Sequence, residues 1–283
     1  MRVIWVLENI HENEEFYSKF NILLLLASVT LWKKNHPEDT LCLYADNMTQ
    51  SLLRRINVID MWNEVHTYKH ERDINRSVFW ACNKVAVLNQ QTEPCIILDN
   101  DSLVFKPIKH LLKNKVTVAN LETGRGYYPG NLDEYIKRLS FKKRWHTDSL
   151  NVSFLYFPDP NLIKKYTERS LTMMEEFSKM KVPNSQYLIF AEQLVLRDIL
   201  DSENIPYQSL VATNWNCDKW NWGDDHDKGI WPFPESEMFF KHYGPLKTYV
   251  IEDKTDLGYE EECNLLYNCI NIRNLDLSFI EKR

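Results

Sequence analysis

A short apolar run, residues 94–98, sets the strongest limit on the fold of this 283-residue chain. Its sequence is Pro-Cys-Ile-Ile-Leu, with β-branched residues at its centre and no charge. A run of this length and composition is typical of a strand buried on both faces, as in parallel sheets covered by helices. The run therefore predicts an α/β protein with a mostly parallel central sheet flanked by helices.

Two carboxylates follow this strand directly, as Asp99 and Asp101 with Asn100 between them. In open α/β sheets ligands bind at the carboxyl edge of the strands, and a divalent cation that bridges phosphates needs oxygen ligands there. A metal-held phosphate is therefore the first functional hypothesis. The alternative is structural, because Asp and Asn at a strand end often do no more than cap a turn or begin a helix.

The rest of the chain alternates strand and helix patterns, which favours right-handed crossovers between parallel strands. The predicted strands cover residues 3–7, 41–44, 64–68, 94–98, 116–120 and 151–157. The predicted helices cover residues 14–34, 49–56, 77–89, 162–179, 189–201 and 259–270. Residues 122–130 form a glycine-containing loop that is not a P-loop, because no Gly-Lys-[Ser/Thr] follows.

Composition argues against two classes of partner. The net charge of -6 and the absence of a basic stripe indicate that the chain does not bind nucleic acid. The most apolar segment, residues 20–32, is shorter than the roughly 20 apolar residues that a membrane span needs. We therefore expect a buried core helix there and no transmembrane segment.

The cysteines and the N-terminus indicate a cellular location. The six cysteines have neither C-x-x-C pairs nor zinc-type spacing, and several lie in apolar stretches where a free thiol behaves as a small hydrophobe. The chain starts at once with a strand-like run and lacks the features of a signal peptide. These patterns predict a soluble, intracellular (cytoplasmic) protein.

A second motif lies at residues 242–247, with the sequence His-Tyr-Gly-Pro-Leu-Lys. Together with Asp99-Asn100-Asp101 it resembles the D-x-D and H-x-G-x-x-K pair of GT-A fold glycosyltransferases, most closely the glycogenin-like and galactosyltransferase-like enzymes of family 8. The resemblance covers roughly residues 1–247. It implies one GT-A type, Rossmann-like catalytic domain over residues 1–247, with residues 248–283 as a C-terminal extension packed on the same domain or aiding homo-oligomerisation.

Three further matches accompany these motifs. Lys84 stands on the helix before the D-x-D strand, as in the T-K-L pattern of that group. Asn151-Val152-Ser153-Phe154 is similar to its F-N-x-G strand, and Glu192-Gln193 takes the place of its Asp-Gln pair. The resemblance implies a role for Lys84 near the phosphates or as a partner of Asp99.

The residue types also suit a metal site on chemical grounds. Asp99 and Asp101 would hold Mn²⁺ or Mg²⁺ with His242 as a third ligand, and the imidazole favours Mn²⁺, which accepts mixed nitrogen and oxygen ligands. A histidine beside an apolar run is by itself more often packed or exposed, but Gly244 and Lys247 at this spacing strengthen the ligand role. The cation and Lys247 would stabilise the diphosphate as it leaves the sugar.

The donor nucleotide is expected to lie over the carboxyl ends of the first two strands. This position follows from the general location of ligands in α/β sheets. The predicted donor-binding residues are Leu7, Asn9, Tyr44, Lys84, Asn100, Gly244 and Lys247.

Glu192 and Gln193 are the predicted catalytic residues, in the first turn of a helix. Glu192 could act as a general base towards an acceptor hydroxyl in an inverting transfer, or the pair could line the sugar in a retaining one. Transfer with retention of the anomeric configuration is slightly favoured over transfer with inversion. The structural alternative is an ordinary acid that interacts favourably with a helix dipole.

Tryptophans are concentrated before His242. Indole rings can cover the apolar face of a sugar while nearby carboxylates accept hydrogen bonds from its hydroxyls, although such rings also commonly pack a loop onto a sheet. The predicted sugar or acceptor wall consists of Trp215, Trp220, Trp222 and Asp225.

These observations predict a metal-dependent hexosyl- or pentosyltransferase. It would move a sugar from a nucleoside diphosphate donor, UDP-linked by preference, to a glycan, a glycoprotein or another hydroxyl acceptor. Two alternatives remain open. One is a phosphohydrolase of the haloacid-dehalogenase type with Asp99 as nucleophile and Asp101 as general acid, and the other is a non-catalytic protein that binds a glycan or nucleotide sugar.

Overall fold

A computed structural model describes residues 1–7, 18–68, 72–123, 148–182, 186–210, 215–216, 239–244, 247, 250–251, 255–270, 272, 275 and 277. The chain divides into two compact units. Unit 1 contains Met1–Lys69, Leu98–Leu111 and Asn221–Arg283, and unit 2 contains His70–Ile97 and Leu112–Trp220.

Strands and α-helices alternate along the described residues up to residue 98. The strands are β1 (Arg2–Leu7), β2 (Thr40–Ala45), β3 (Glu64–Thr67), β4 (Cys95–Leu98), β5 (Ser102–Val104), β6 (Val116–Thr123), β7 (Asp148–Phe157), β8 (Tyr207–Ser209), β9 (Trp215–Asn216) and β10 (Phe240–His242). The helices are α1 (Lys19–Asn35), α2 (Asn47–Arg55), α3 (Cys82–Leu88), α4 (Pro160–Lys179), α5 (Gln186–Ile189), α6 (Val195–Ser202) and α7 (Asp256–Ile270), with a π-helical turn at Phe190–Leu194 between α5 and α6.

Unit 1 is built on three parallel strands in the order β3-β2-β1. Helix α1 is buried along almost its whole length from Phe20 to Trp32, which confirms the predicted core helix. The helix begins where the Ser18 side chain accepts a hydrogen bond from the Asn21 backbone N–H, and Lys33 and Lys34 lie in its last turn. Helix α7 packs against α1.

A buried hydrogen-bond chain fixes β5 in unit 1. The Trp5 indole N–H donates to Ser28 Oγ at 3.0 Å, and the Ser28 hydroxyl donates to the Ser102 carbonyl oxygen at 2.6 Å. All three residues are buried, so each polar group needs the partner that it has. Strand β1, helix α1 and strand β5 are thereby held together, and β5 begins at the residue that follows Asp101.

Unit 2 contains the strand order β4-β7-β6-β8, with the first three residues of β4 in this unit. All four residues of β4 are buried, as the apolar run predicts. Strands β6 and β7 are antiparallel, whereas β8 and β9 lie parallel to β6. The predicted α/β class, with mostly parallel strand pairs flanked by helices, is confirmed.

The start of one predicted helix is wrong. The structure begins α3 at Cys82, five residues later than the sequence pattern predicts. The backbone N–H and the hydroxyl of Ser77 both donate to Asn75 Oδ1, at 3.2 and 2.7 Å. Local side-chain hydrogen bonds of this kind compete with helix formation.

No helix among the described residues combines the length and the hydropathy that a lipid bilayer would require.

Candidate metal centre

Two strands that the sequence does not predict bring the two motifs together in unit 1. Strands β5 and β10 pair in antiparallel fashion, with His242 opposite Ser102. The backbone N–H of Tyr243 donates to the Asp101 carbonyl oxygen at 3.0 Å. Because backbone pairing fixes this register, His242 lies beside Asp101 although about 140 residues separate them in sequence.

The side chains of Asp99, Asp101 and His242 form a compact cluster whose potential ligand atoms all lie within 4.8 Å of one another. His242 Nε2 lies 3.3 Å from Asp101 Oδ1 and 4.0 Å from Asp99 Oδ2. The exposed fraction of the side chain rises from 8% at Asp101 to 31% at Asp99. The cluster is therefore anchored at Asp101 and open to solvent at Asp99.

Lys247 completes the cluster from the turn that follows β10. Its Nζ lies 3.1 Å from Asp101 Oδ2, and its backbone N–H donates to the Gly244 carbonyl oxygen at 3.2 Å. The lysine side chain is 36% exposed, so its ammonium contacts Asp101 while it remains accessible to a ligand.

The charges in the cluster reinforce one another. Burial would raise the pKa of Asp101, but the charges of Lys247 and His242 hold this pKa well below its usual range. Burial would lower the pKa of His242, yet the neighbouring Asp101 carboxylate raises it. Asp101 likewise raises the pKa of Lys247. The site therefore contains an ionised carboxylate that is available as a metal ligand.

Gly244 has a specific structural role. Its φ angle is +43°, in the left-handed region that glycine adopts with least strain. A Cβ at this position would lie 3.2 Å from His242 Cε1 and 3.6 Å from His242 Nε2. Glycine thus permits both the turn towards Lys247 and the position of the imidazole ring.

The donor atoms fit a divalent cation. Asp99, Asp101 and His242 offer two carboxylates and one imidazole, a set that suits Mn²⁺ better than Mg²⁺, which prefers oxygen ligands and waters. Fewer than six protein ligands would leave positions for phosphate oxygens and water.

Tyr243 anchors the strand end that carries His242. Its ring contacts Phe20 of α1 edge to face, with 5.8 Å between centroids, and its hydroxyl donates to Glu262 Oε2 at 3.4 Å. Tyr243 is buried, and burial together with the Glu262 charge raises the pKa of its hydroxyl. The packing of α1 and α7 therefore reaches the residue next to His242.

Unit 2 contains the predicted catalytic pair. Lys84 Nζ lies 2.7 Å from Glu192 Oε1, and both side chains are largely buried. The Ser149 hydroxyl donates to Gln193 Oε1 at 3.0 Å. Glu192 and Gln193 lie in the π-helical turn inside a longer helical segment, so the prediction that they occupy a first helical turn is wrong. The carboxylate is balanced by a lysine rather than by a helix N-terminus.

The predicted nucleotide residues of unit 1 lie at strand ends. Leu7 ends β1 and is buried, and Tyr44, near the end of β2, stacks on His66 of β3 with 4.6 Å between centroids. The sequence reasoning missed His66, although a ring opposite Tyr44 on a neighbouring strand could have indicated the pair. Asn9, Trp220, Trp222 and Asp225 lie outside the described residues, and Trp215 is described only as part of the backbone of β9.

Fold and site together define an α/β protein with a carboxylate, imidazole and lysine cluster next to a buried strand. Residues 5–229 match the model of a family described as "Family of unknown function (DUF6734)", and the chain belongs to this family. The comparison with curated proteins found no match.

Solved structures with partial similarity include glycosyltransferases. GlyE of Streptococcus pneumoniae TIGR4, a glycosyltransferase, is 13% identical, with a TM-score of 0.46 over 94% of this chain and 62% of that one. The galactosyltransferase LgtC, in complex with donor and acceptor sugar analogues, is 12% identical, with a TM-score of 0.46 over 96% and 97% of the two chains. The chain thus spans less than two thirds of the GlyE structure.

Proposed function

We propose that the protein is a metal-dependent glycosyltransferase of the GT-A type that uses a nucleoside diphosphate sugar, preferably UDP-linked, as donor. The observation that carries this proposal is the cluster of Asp99, Asp101, His242 and Lys247 within unit 1. A glycan, a glycoprotein or another hydroxyl compound would be the acceptor. The catalytic machinery would lie within residues 1–247, with residues 248–283 as a supporting extension.

The cluster suits the departure of a diphosphate. Asp99, Asp101 and His242 would hold Mn²⁺ or Mg²⁺, and the bound cation would supply positive charge to the phosphate oxygens. Lys247 would donate to the same leaving group. Because negative charge grows on the diphosphate as the sugar departs, the Lys247 ammonium stabilises the transition state more than the ground state.

The ion pair of Glu192 bears on its proposed role. The Lys84 ammonium, at 2.7 Å, contacts Glu192 Oε1, an oxygen that a general base would use to accept the proton of an acceptor hydroxyl. This contact favours the role in which Glu192 and Gln193 line the sugar, and with it a retaining transfer.

Both alternative functions agree less well with the cluster. The phosphohydrolase hypothesis requires a protonated Asp101 as general acid, whereas Lys247 and His242 hold the pKa of Asp101 well below its usual range. It also gives no function to His242 and Lys247. A non-catalytic sugar-binding protein would need neither the carboxylate pair nor the lysine.

A donor screen tests the proposal. Nucleotide sugars are incubated with the protein and Mn²⁺, and the released sugar is followed by NMR of its anomeric proton. We expect slow hydrolysis of one donor with the anomeric configuration initially retained. Asp101→Asn should abolish it, and Asp60→Asn, at an exposed position, should not.

A different result would contradict the proposed glycosyltransferase. Hydrolysis of a phosphate monoester that is lost in Asp99→Asn but survives in His242→Ala would support the phosphohydrolase instead.

A further inference from the structure

The Asp101 carboxylate has a different neighbour on each of its two oxygens. His242 Nε2 lies 3.3 Å from Oδ1, and Lys247 Nζ donates a hydrogen bond to Oδ2 at 3.1 Å. Within the part of the chain that the structure describes, the negative charges that act on Lys247 are those of Asp101 and Asp99. A cation held by Asp99, Asp101 and His242 would therefore use the same carboxylates that balance the lysine.

The charges of these groups do not balance when a divalent cation is added. Asp99 and Asp101 carry two negative charges, and a cation such as Mn²⁺ carries two positive ones. The Lys247 ammonium is charged at neutral pH and remains as one positive charge in excess. The repulsion between cation and ammonium is poorly screened at Asp101, whose side chain is only 8% exposed. A diphosphate carries enough negative charge to remove the excess.

The Lys247 side chain can reach a second partner. It is 36% exposed, and Asp99 on the open side of the cluster is 31% exposed, so a ligand can approach both from solvent. A lysine side chain is a flexible stem that ends in three donors. The backbone N–H of Lys247 donates to the Gly244 carbonyl oxygen, which keeps the residue at the cluster when its ammonium changes partner.

We infer that the charge of Lys247 opposes the binding of a divalent cation alone, so that the site takes up the cation together with a diphosphate. This inference rests on the proposed function and names the ligand of the site as a cation and nucleoside diphosphate pair. The diphosphate oxygens offer the Lys247 ammonium new acceptors, and their charge compensates both the cation and the lysine.

A purely orienting role for Lys247 predicts a change of opposite sign. A hydrogen bond that orients a metal-ligating carboxylate strengthens metal binding, and its loss typically weakens the affinity about 10–100-fold. Repulsion by the Lys247 charge predicts that removal of this charge strengthens the binding of a cation. The affinity for a cation in the absence of nucleotide therefore distinguishes the two roles.

The experiment is a calorimetric titration of Mn²⁺ into the protein without nucleotide. Lys247→Gln retains a side chain that can donate to Asp101 but removes the charge, and it should bind Mn²⁺ about tenfold more tightly than the wild type. Lys247→Arg keeps the charge and should bind Mn²⁺ as the wild type does. Lys241→Gln is the matched control, because it removes a lysine of β10 whose ammonium lies over the Tyr243 ring, 4.1 Å from the centroid, and it should leave the affinity unchanged.

The same titrations with saturating UDP measure how strongly the two ligands are coupled. UDP should raise the Mn²⁺ affinity of the wild type at least about tenfold, the same factor by which Mn²⁺ raises the affinity for UDP. In Lys247→Gln this factor should be smaller, because the cation alone already binds more tightly.

An affinity of Lys247→Gln for Mn²⁺ alone that equals or falls below that of the wild type overturns the inference, even if the wild type binds UDP and Mn²⁺ together. An equal gain in Lys247→Arg also overturns it, because this variant retains the charge. If the wild type binds no UDP in the presence of Mn²⁺, the proposed function itself fails.

Discussion

Lys247 has two partners at the residue scale: Asp101, which it contacts, and the leaving diphosphate in the proposed reaction. We predict that Lys247→Ala lowers kcat about a hundredfold, as removal of a donor to a developing anion does in other enzymes. KM for the donor should change much less, because the charge grows during the reaction. Steady-state kinetics of donor hydrolysis measure both quantities.

Lys115→Ala, at an exposed position, is the control for this prediction. An effect of Lys247→Ala on KM alone would mean that the lysine contributes uniform binding and no transition-state stabilisation.

Two substitutions at Gly244 separate the backbone strain of a positive φ angle from the crowding of the His242 ring by an added Cβ. We predict that Gly244→Ala and Gly244→Asn both weaken Mn²⁺ binding, because each adds a Cβ at 3.2 Å from the His242 ring. Asn tolerates a positive φ better than Ala, for which the left-handed conformation costs about 1–2 kcal/mol. Thermal unfolding should therefore show Ala as the less stable variant, while calorimetry with Mn²⁺ shows a loss of affinity in both. Normal Mn²⁺ affinity in Gly244→Asn would contradict the crowding argument.

At the scale of elements, Ser28 of helix α1 joins strands β1 and β5 through its hydroxyl group. We predict that Ser28→Ala lowers the free energy of unfolding by about 1–3 kcal/mol, since it leaves the Trp5 N–H and the Ser102 carbonyl oxygen buried without this partner. Urea unfolding measures the change. Ser51→Ala removes an exposed hydroxyl that donates to the Asn47 carbonyl oxygen, and should have little effect.

The contribution of His36, at the end of α1, to the stability of the fold depends on pH. Its ring stacks on Trp32 and its Nε2 accepts from the Ile108 backbone N–H at 3.0 Å, which requires this nitrogen to be unprotonated. Burial lowers the pKa of His36 below that of the unfolded chain. Its contribution to stability is therefore complete above about pH 6.5, the unfolded pKa, and is lost as pH falls from there towards the lower pKa of the folded state.

The predicted slope for this one group is at most about 1.4 kcal/mol per pH unit. His36→Gln, which keeps an acceptor, should remove that part of the pH dependence in urea titrations between pH 7 and 5. His110→Gln, at an exposed histidine, should leave it in place. An unchanged slope in His36→Gln would show that His36 does not titrate in this range.

The elements also show where sequence reasoning succeeds. Long, buried segments such as α1 and β4 are predictable because their own apolar residues determine their structure. Strands β5 and β10 have three residues each and depend on their mutual pairing, so no local pattern marks them. The resemblance to the motif pair of GT-A glycosyltransferases implied that Asp99, Asp101 and His242 share a site, but the backbone register that brings them together came only from the structure.

At the scale of the whole molecule, the sequence predicted the α/β class and the structure added its division into two compact units. Contacts between residues far apart in sequence create that division, and local periodicity does not report them. The resemblance implied that Lys84 lies near the phosphates or is a partner of Asp99, which belongs to unit 1. In the structure Lys84 forms an ion pair with Glu192, and both residues belong to unit 2.

Calorimetric titration of UDP into the protein, with and without Mn²⁺, tests the central claim most directly. If Asp99, Asp101 and His242 hold a cation that binds a diphosphate, UDP should bind at least about tenfold more tightly with Mn²⁺, a difference of about 1.4 kcal/mol. Asp101→Asn should remove this difference, and Asp60→Asn should preserve it. Equal affinity for UDP with and without Mn²⁺ in the wild type, or no binding in either condition, would contradict the account.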